Sequence, residues 1–276
     1  MIDGFDTAAF VAATLAEDMG QGGDVTSQAV IPADARLKAV MDSRDAVVVA
    51  GLPLAEAFFR ALDPGCRIET LVGEGQAVPA GADLMRIEGN ARALLTAERS
   101  ALNTVQHLTG IATMTRAYVD AIAGTGAVLL DTRKTLPGLR ALEKYATRMG
   151  GATNHRMRLD DGVMIKDNHI AVAGGVEPAV RAAKAAGLQG IVVEVDRIDQ
   201  IEPAIQAGAD RLLLDNMDVP TLKAAVALVA GRVPTEASGG VRLDTIRAIA
   251  ETGVTYISVG RITQSAPAAD VGLDFD

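Results

Sequence analysis

Cations are concentrated in one stretch of this chain, the segment from Asp131 to Ile170. It holds eight Lys or Arg residues against five Asp or Glu residues, a net charge of +3, whereas the whole chain of 276 residues carries −9. The rest of the chain therefore carries −12, so the positive charge is local rather than spread for non-specific attraction. The segment predicts a binding site for an anionic small molecule.

Several of these cations stand where apolar runs end, which is where a pocket would collect them. Guanidinium groups bind carboxylates through two parallel N–H donors, so Arg residues beside a phosphate site indicate a substrate that carries both groups. The residues predicted to form this basic wall are Arg133, Lys134, His155, Arg156 and Lys166. The other four cations fit a solvated helix face or loop: Arg140, Lys144, Arg148 and Arg158.

Glycines and carboxylates end the later apolar runs. Ser238-Gly239-Gly240 and Gly260 offer backbone N–H groups to a phosphate, although glycines that merely turn the chain are the alternative. Glu194 and Asp215 end successive runs, with no obvious cation beside them apart from two Arg residues. Two carboxylates near a phosphate suggest a shared Mg²⁺, and a structural salt bridge is the alternative.

Two histidines lie outside this pattern. His107 falls in the helix-like segment ERSALNTVQHLTG and is expected to pack rather than react. His169 follows Lys166 closely, and its role stays open between supporting the pocket and filling the core.

A repeating βα pattern must position these residues. Val193, Leu213, Glu236 and Ser258 are separated by 20, 23 and 22 residues, the length of one strand and one helix, and Ala-rich amphipathic segments lie between them. A parallel α/β barrel is the economical solution, and its strands gather their carboxyl ends around one pocket. The six strands are predicted in AVLLDTRK, GVMIKDN, GIVVEVD, RLLLDN, VPTEASGG and YISVGRI.

The first hundred residues have a different pattern, with short β-rich runs broken by Pro and Gly. Helices are predicted over Thr7 to Met19 and Leu54 to Leu62, with an antiparallel meander between and after them. The fold class is therefore α/β, with an N-terminal layer of helices and a small sheet over residues 1–101 and a barrel over residues 102–264. Residues 265–276 are expected to pack back on the first domain.

Composition excludes several classes of function. A pI near 4.9 without basic runs or interleaved aromatics makes a poor nucleic-acid binder. No apolar run approaches the length of a membrane span, and the N-terminal residues lack the pattern of a secretory signal. With a single Cys, no internal disulfide can form, and a cytoplasmic location is expected.

The motifs resemble one known family over nearly the whole chain. DTRKTLPGLR, followed in order by NHR and IKDNHI, is the most specific part, and EDMGQGGDVTS, ERSALN, VVEVD, LLLDN, ASGGV and ISVGRITQSAP agree with it. The resemblance is to quinolinate phosphoribosyltransferase (nicotinate-nucleotide pyrophosphorylase, carboxylating). It implies an N-terminal α/β sandwich with an incomplete α/β barrel, and a homodimer with shared active sites. It also implies a Mg²⁺-dependent reaction in which quinolinate and phosphoribosyl pyrophosphate give nicotinate mononucleotide, pyrophosphate and CO₂ for NAD synthesis.

Residue roles follow from the same resemblance. Lys134, Lys166, Glu194 and Asp215 would be catalytic, and the two carboxylates would hold Mg²⁺ and ribose hydroxyls. Arg99 would reach quinolinate from the partner subunit. The other quinolinate ligands would be Thr132, Arg133, Lys134, His155, Arg156 and Lys166, and the phosphate cradle would be Ser238, Gly239, Gly240, Val259, Gly260 and Arg261.

The chain departs from the family pattern at Gln264, where a basic residue is common, and at Arg158, where Gly is common. The first change could weaken a phosphate contact, which Arg261 could replace. Two other functions stay open. One is a Schiff-base aldolase that uses Lys166, and the other is a paralogue of the same fold associated with molybdate transport.

Overall fold

The computed structural model describes Ile2 and residues 4–275, which form two compact units. Among the described residues, the first unit comprises those up to Arg116, Pro137–Gly151 and those from Ser265 onward. The second unit comprises Ala117–Leu136 and Ala152–Gln264. The predicted boundary after residue 101 stays a prediction, and it falls inside a helix that continues to Ala121.

The first unit is an antiparallel sheet with helices. Its four-stranded sheet has the order β12-β1-β5-β3, so the last strand of the chain pairs with the first. Its core includes the fully buried Met41, Met85, Phe58 and Phe59. The elements are α1 (Thr7–Met19), α2 (Val25–Val30), β1 (Arg36–Ser43), β2 (Val47–Val48), α3 (Leu52–Leu62), β3 (Arg67–Thr70), β4 (Ala77–Val78), β5 (Ala82–Asn90), α4 (Ala91–Ala121, entering the second unit), α5 (Arg140–Met149) and β12 (Val271–Phe275).

Side-chain caps explain where the two helices predicted in this unit begin. Asp6 accepts the N–H of Ala9 at 2.9 Å and starts α1 at the predicted residue, because a capping carboxylate satisfies an otherwise unbonded donor. Helix α3 begins two residues before its predicted start. There Glu74 accepts the N–H groups of Gly51 and Leu52 at 2.7 and 2.9 Å, a cap supplied from a distant part of the chain that local sequence does not reveal.

The predicted meander is only partly present. Strand β5 lies between β1 and β3 and is antiparallel to both. The intervening strand β4 leaves this sheet and pairs with β2 in a separate two-stranded ribbon. Short strands such as these are assigned by long-range pairing, which turn residues alone do not specify.

The second unit contains all six strands of the predicted repeat in one parallel sheet. The order β6-β11-β10-β9-β8-β7 is that of a barrel open between β6 and β7, with a single bridge from Leu130 to Thr153 beside that opening. The elements are β6 (Val128–Leu130), β7 (Met164–Ile165), α6 (Asp167–Ala173), α7 (Val176–Ala185), β8 (Val192–Val195), a 3₁₀ turn (Ile198–Gln200), α8 (Ile201–Ala207), β9 (Arg211–Asp215), α9 (Val219–Val229), β10 (Thr235–Ser238), α10 (Ile246–Ala250), β11 (Tyr256–Ser258) and α11 (Arg261–Gln264).

The strands of this sheet are short and apolar because parallel strands are covered on both faces. Their register brings the polar strand ends together, since Ser238 on β10 lies opposite Asp215 on β9. Helices then return the chain to the next strand. Asp218, for example, caps α9 by accepting the N–H of Thr221 at 2.9 Å, with Pro at the start of the helix.

Hydrophobic segments of membrane-spanning length do not occur among the helices of residues 2 and 4–275.

Candidate active site

A cavity of about 380 Å³ opens in the second unit at the carboxyl ends of the parallel strands. This is the position that the βα repeat predicts, because side chains from several strands converge there. Its lining residues are Thr132, Arg133, Lys134, His155, Arg156, Met164, Lys166, Glu194, Leu213, Asp215, Asn216, Glu236, Ser238, Gly239, Gly240 and Ser258.

The cavity brings together most of the residues proposed from the sequence, namely the basic wall, both carboxylates and the Ser-Gly-Gly turn. Three proposed phosphate ligands are not among its lining residues. Val259 is buried and donates its N–H to Leu130 O, Gly260 lies beside the Lys134 side chain, and Arg261 is exposed at the start of α11. Arg99 lines a different cavity, of about 390 Å³, in the first unit. Each residue's contact with a substrate stays a prediction.

Two guanidinium groups, those of Arg133 and Arg156, make one side of the cavity positive. Burial, and then the charge of Arg133, lower the pKa of Arg156. Nε of Arg133 is buried and has no hydrogen-bond acceptor among the described residues. A buried donor without an acceptor is costly, and like charges repel, so an anionic ligand between these groups would relieve both penalties.

Lys166 and Glu194 form an ion pair in the cavity, with Nζ 2.6 Å from Oε2. The expectation that Glu194 has no cation beside it apart from the two Arg residues was therefore wrong. Those residues pair elsewhere, Arg197 with Asp199 and Arg211 with Glu236. The reason is tertiary, since Lys166 follows β7 and the parallel pairing of β7 with β8 brings it to Glu194.

Asn216 joins Asp215 to the glycine turn. It is one of two described non-glycine residues with a positive φ, at 54°, a conformation that is rare outside functional or turn positions. Its Nδ2 donates to Asp215 Oδ2 at 2.5 Å, and its backbone N–H donates to Ser238 O at 2.9 Å. Burial, and then the negative charge of Glu194, raise the pKa of Asp215.

Replacing Gly239 with alanine should disrupt this arrangement. A Cβ there would lie 2.1 Å from Asn216 Oδ1, at a φ of +90°. We expect the free energy of unfolding to fall by about 1 to 3 kcal/mol because of forced repacking, which thermal unfolding would measure. We also expect a higher KM for phosphoribosyl pyrophosphate, which steady-state kinetics would measure. Gly231→Ala is the matched control, because φ is +73° and a Cβ would meet no atom within 4 Å. Equal behaviour of the two variants would show that the contact with Asn216 is unimportant.

Lys134 is held by two contacts within the second unit. Its carbonyl oxygen accepts the hydroxyl of Thr263 at 2.6 Å. A Cβ at Gly260 would lie 2.7 Å from Lys134 Cδ, so a larger residue there would require the lysine side chain to move. This explains the glycine at the end of β11 by side-chain packing, whether or not its N–H also meets a phosphate.

Three lining or supporting residues were missed from the sequence. Asp131 and Glu236 are fully buried. Asp131 accepts the backbone N–H of His155 at 2.8 Å and the side-chain amide of Asn154 at 2.5 Å. Glu236 interrupts the apolar run of β10, a signal that could have been noticed, whereas the role of Asn216 depends on its backbone conformation.

Three other predictions can be compared with the structure. Lys144 was placed on a solvated face, but it is buried in α5, so that expectation was wrong. His107 packs as expected, with Nε2 3.0 Å from Glu143 Oε1. His169 is exposed, and its Nδ1 accepts the backbone N–H of Lys166 at 2.9 Å, so it supports the start of α6 rather than the core.

Family models match both parts of the chain. The quinolinate phosphoribosyl transferase N-terminal domain matches residues 24–109, and the quinolinate phosphoribosyl transferase C-terminal domain matches residues 111–274. This chain belongs to the quinolinate phosphoribosyltransferase family. The assignment confirms the resemblance drawn from the motifs.

Individual members of the family are similar over nearly the whole of this chain. A nicotinate-nucleotide pyrophosphorylase (carboxylating) of Mycobacterium leprae is 44% identical over 94% of each chain. A chloroplastic nicotinate-nucleotide pyrophosphorylase (carboxylating) of Oryza sativa is 41% identical over 99% of this chain and 78% of its own. The crystal structure of nicotinate-nucleotide pyrophosphorylase from Ehrlichia chaffeensis has a TM-score of 0.95 at 38% identity, covering 99% of this chain and 100% of that one. These similarities confirm the predicted fold class.

Within this quinolinate phosphoribosyltransferase chain, both departures from the family pattern lie at exposed positions. Gln264 is the last residue of α11, and its Oε1 is 3.6 Å from the place of a Cβ on Gly260. Arg158 pairs with Asp160 at 2.8 Å, and its backbone N–H donates to Asp161. Neither residue lines the cavity of the second unit.

Proposed function

We propose that this chain transfers the phosphoribosyl group of phosphoribosyl pyrophosphate to quinolinate, with loss of CO₂, to give nicotinate mononucleotide and pyrophosphate. The observation that carries the proposal is the composition of one cavity. It combines two neighbouring guanidinium groups, two lysines, three carboxylates and a Ser-Gly-Gly turn. A substrate with two carboxylates and a substrate with phosphates and ribose hydroxyls both find partners there, and membership of the family supports the same reaction.

On the acceptor side, Arg133 and Arg156 would bind the carboxylates of quinolinate. The two guanidinium groups repel each other, and Nε of Arg133 has no acceptor among the described residues. The site therefore favours a doubly charged anionic ligand over an uncharged ring compound. Thr132, Lys134 and Lys166 line the same wall. These groups would hold the pyridine nitrogen toward the ribose carbon, and positioning of this kind lowers the barrier without a protein nucleophile.

On the donor side, the turn Ser238-Gly239-Gly240 would receive the 5′-phosphate on backbone N–H groups. The residues fit a Mg²⁺ ion, because Glu194 and Asp215 line one cavity and the charge of Glu194 raises the pKa of Asp215, a repulsion that a cation would remove. Mg²⁺ needs only one or two carboxylates when phosphates and water supply the other ligands. When bound, it would neutralise charge on the departing pyrophosphate.

The reaction then needs little covalent help from the protein. The pyridine nitrogen forms a bond to the ribose carbon as the bond to pyrophosphate breaks. The quaternised nitrogen is an electron sink, so the 2-carboxylate leaves as CO₂ and the ring carbon takes up a proton. Lys134 and Lys166 are placed to stabilise negative charge during these steps, since both line the cavity.

We also propose that the protein is a homodimer with shared active sites. Arg99 would complete the active site of a partner subunit, which is supported by its place among polar side chains in the cavity of the first unit. A cytoplasmic location also stays a proposal. The names of two relatives place those proteins elsewhere, in the chloroplast for Oryza sativa and in the mitochondrion for Nicotiana glauca.

Neither alternative function is favoured by the site. A Schiff-base aldolase needs a neutral lysine, whereas Lys166 is ion-paired with Glu194 at 2.6 Å. A paralogue with another acceptor should lack the carboxylate-binding wall, and Arg133, His155 and Arg156 all line this cavity.

A direct assay tests the proposed function. The purified protein, quinolinate and phosphoribosyl pyrophosphate should give CO₂, pyrophosphate and nicotinate mononucleotide in equal amounts when Mg²⁺ is present. Removal of divalent ions with a chelator should abolish turnover, and added Mg²⁺ should restore it. Nicotinate, which lacks the 2-carboxylate, is the control acceptor and should release no CO₂. A folded protein that consumes neither substrate would contradict the proposal.

A further inference from the structure

A buried carboxylate lies at the base of the proposed quinolinate site. Glu236 on β10 has no exposed surface, and its register neighbours on the adjacent strands are Leu213 and Tyr256. An isolated buried charge costs several kcal/mol, so a carboxylate in an otherwise apolar layer needs partners. Glu236 nevertheless lines the cavity.

Two cationic or polar groups compensate this carboxylate. Arg211 Nη1 lies 3.2 Å from Glu236 Oε2 and stacks on Tyr256, with 4.2 Å between Cζ and the ring centroid. The Nε2 of His155 lies 3.4 Å from the same oxygen, outside hydrogen-bond geometry, so this contact is electrostatic. Burial alone would raise the pKa of Glu236, but His155, Ser258 and Arg211 together hold it below its usual value.

The other ring nitrogen of His155 fixes which tautomer is present. The backbone N–H of Arg156 donates to His155 Nδ1 at 2.7 Å. A nitrogen that accepts a hydrogen bond carries no proton, so the proton of the neutral ring must be on Nε2, which faces Glu236. The backbone N–H of His155 also points inward, to Asp131 at 2.8 Å.

We propose that Glu236 is a positioning residue for the acceptor site. It holds His155 as the Nε2-protonated tautomer, and His155 in turn holds the backbone of Arg156 through Nδ1. His155 thereby orients Arg156, in addition to the role of carboxylate ligand that the family resemblance implied for it. The proposal rests on the proposed function for the identity of the acceptor, but the tautomer is a property of the free protein.

The geometry at Arg156 shows why its backbone matters. Its Nη1 donates to Gly162 O at 2.8 Å, and a Cβ on Gly162 would lie 3.1 Å from Arg156 Cβ. Arg156 is therefore held at two points. Its backbone N–H donates to His155 Nδ1, and its guanidinium group donates to the carbonyl oxygen of Gly162. Loss of either point would let the guanidinium move away from the position that meets a carboxylate.

Kinetics of Glu236→Gln test the proposal. We expect the KM for quinolinate to rise about tenfold, the effect of losing one charged hydrogen bond, while the KM for phosphoribosyl pyrophosphate changes less than about twofold. A purely structural role would lower the active fraction and leave both KM values unchanged, which would overturn the proposal. Glu202→Gln is the control, because Glu202 pairs with Arg232 at 2.8 Å on an exposed face.

If the Gln variant does not fold, Glu236→Asp is the second test. The shorter side chain keeps a negative charge near Arg211 but increases the distance between the carboxylate and His155. This variant should show the same selective rise in the KM for quinolinate.

Nitrogen NMR of histidine-labelled protein gives the second readout. The chain has three His residues, so a His155→Gln variant assigns the signal. We expect His155 to show a protonated Nε2 and an unprotonated Nδ1 in the free wild-type protein, and a mixture of tautomers in whichever Glu236 variant folds. A wild-type Nδ1-protonated ring would overturn the proposal whether or not the protein turns over quinolinate. Inactive wild-type protein with the expected tautomer would instead refute only the proposed function.

Discussion

Replacing Arg156 with alanine should raise the KM for quinolinate by about 30- to 150-fold, equivalent to about 2 to 3 kcal/mol for a carboxylate left without its charged partner. The reason is that burial, and then the charge of Arg133, lower the pKa of this guanidinium, so a bound carboxylate would stabilise its charged form. The KM for phosphoribosyl pyrophosphate should change little. Steady-state kinetics with each substrate varied in turn would measure both values.

Two further variants serve as comparisons for Arg156→Ala. Arg156→Lys keeps the charge but loses the planar pair of donors, so an intermediate KM is expected. Arg158→Ala removes an exposed cation two residues away that pairs with Asp160, and it should leave both KM values near those of the wild type. Equal KM values for Arg156→Ala and the wild type would remove Arg156 from the acceptor site.

Replacing Lys166 with alanine should lower kcat by about 100- to 1000-fold, the usual loss when one donor to developing negative charge is removed. Lys166 is paired with Glu194 at 2.6 Å and supported by His169 through its own backbone N–H. Lys184→Ala is a matched control, because Lys184 also pairs with an acidic residue, Asp210 at 3.1 Å, and lies outside the cavity. Single-turnover kinetics would separate the chemical step from product release.

The same variant tests the shared active site by complementation. If Arg99 serves a partner subunit, Arg99→Ala and Lys166→Ala should each be nearly inactive. A heterodimer of the two variants should regain one intact site, so random mixing should restore about a quarter of wild-type activity. The absence of recovery, in a mixture shown to contain heterodimers, would mean that each subunit works with its own Arg99 or without it.

Much of the fold could be predicted because its signals are local or periodic. The apolar runs, four of them at the regular spacing of a βα repeat, indicated all six strands of the parallel sheet, and α1 begins at Thr7 as predicted. Prediction was weaker where distant residues decide the outcome. Helix α3 is capped by Glu74 from another part of the chain, and β4 pairs with β2 instead of continuing the meander.

The candidate site shows the same division. Residue types and their places at strand ends indicated an anion pocket, because parallel strands gather their carboxyl ends at one edge. The partners within the pocket were decided by neighbouring strands. Lys166 meets Glu194 because β7 pairs with β8.

By itself, the sequence determined the family, the α/β class, the repeat and the chemical character of the site, since these depend on residue type, order and period. Only the tertiary structure decided which charges neutralise one another, which nitrogen of His155 accepts the N–H of Arg156 and why a side chain at Gly239 would collide with Asn216. The physical reason is that hydrogen bonds and steric contacts act over a few ångströms between residues that are 20 or more positions apart, such as His155 and Glu236. Folding alone brings such residues to the same place.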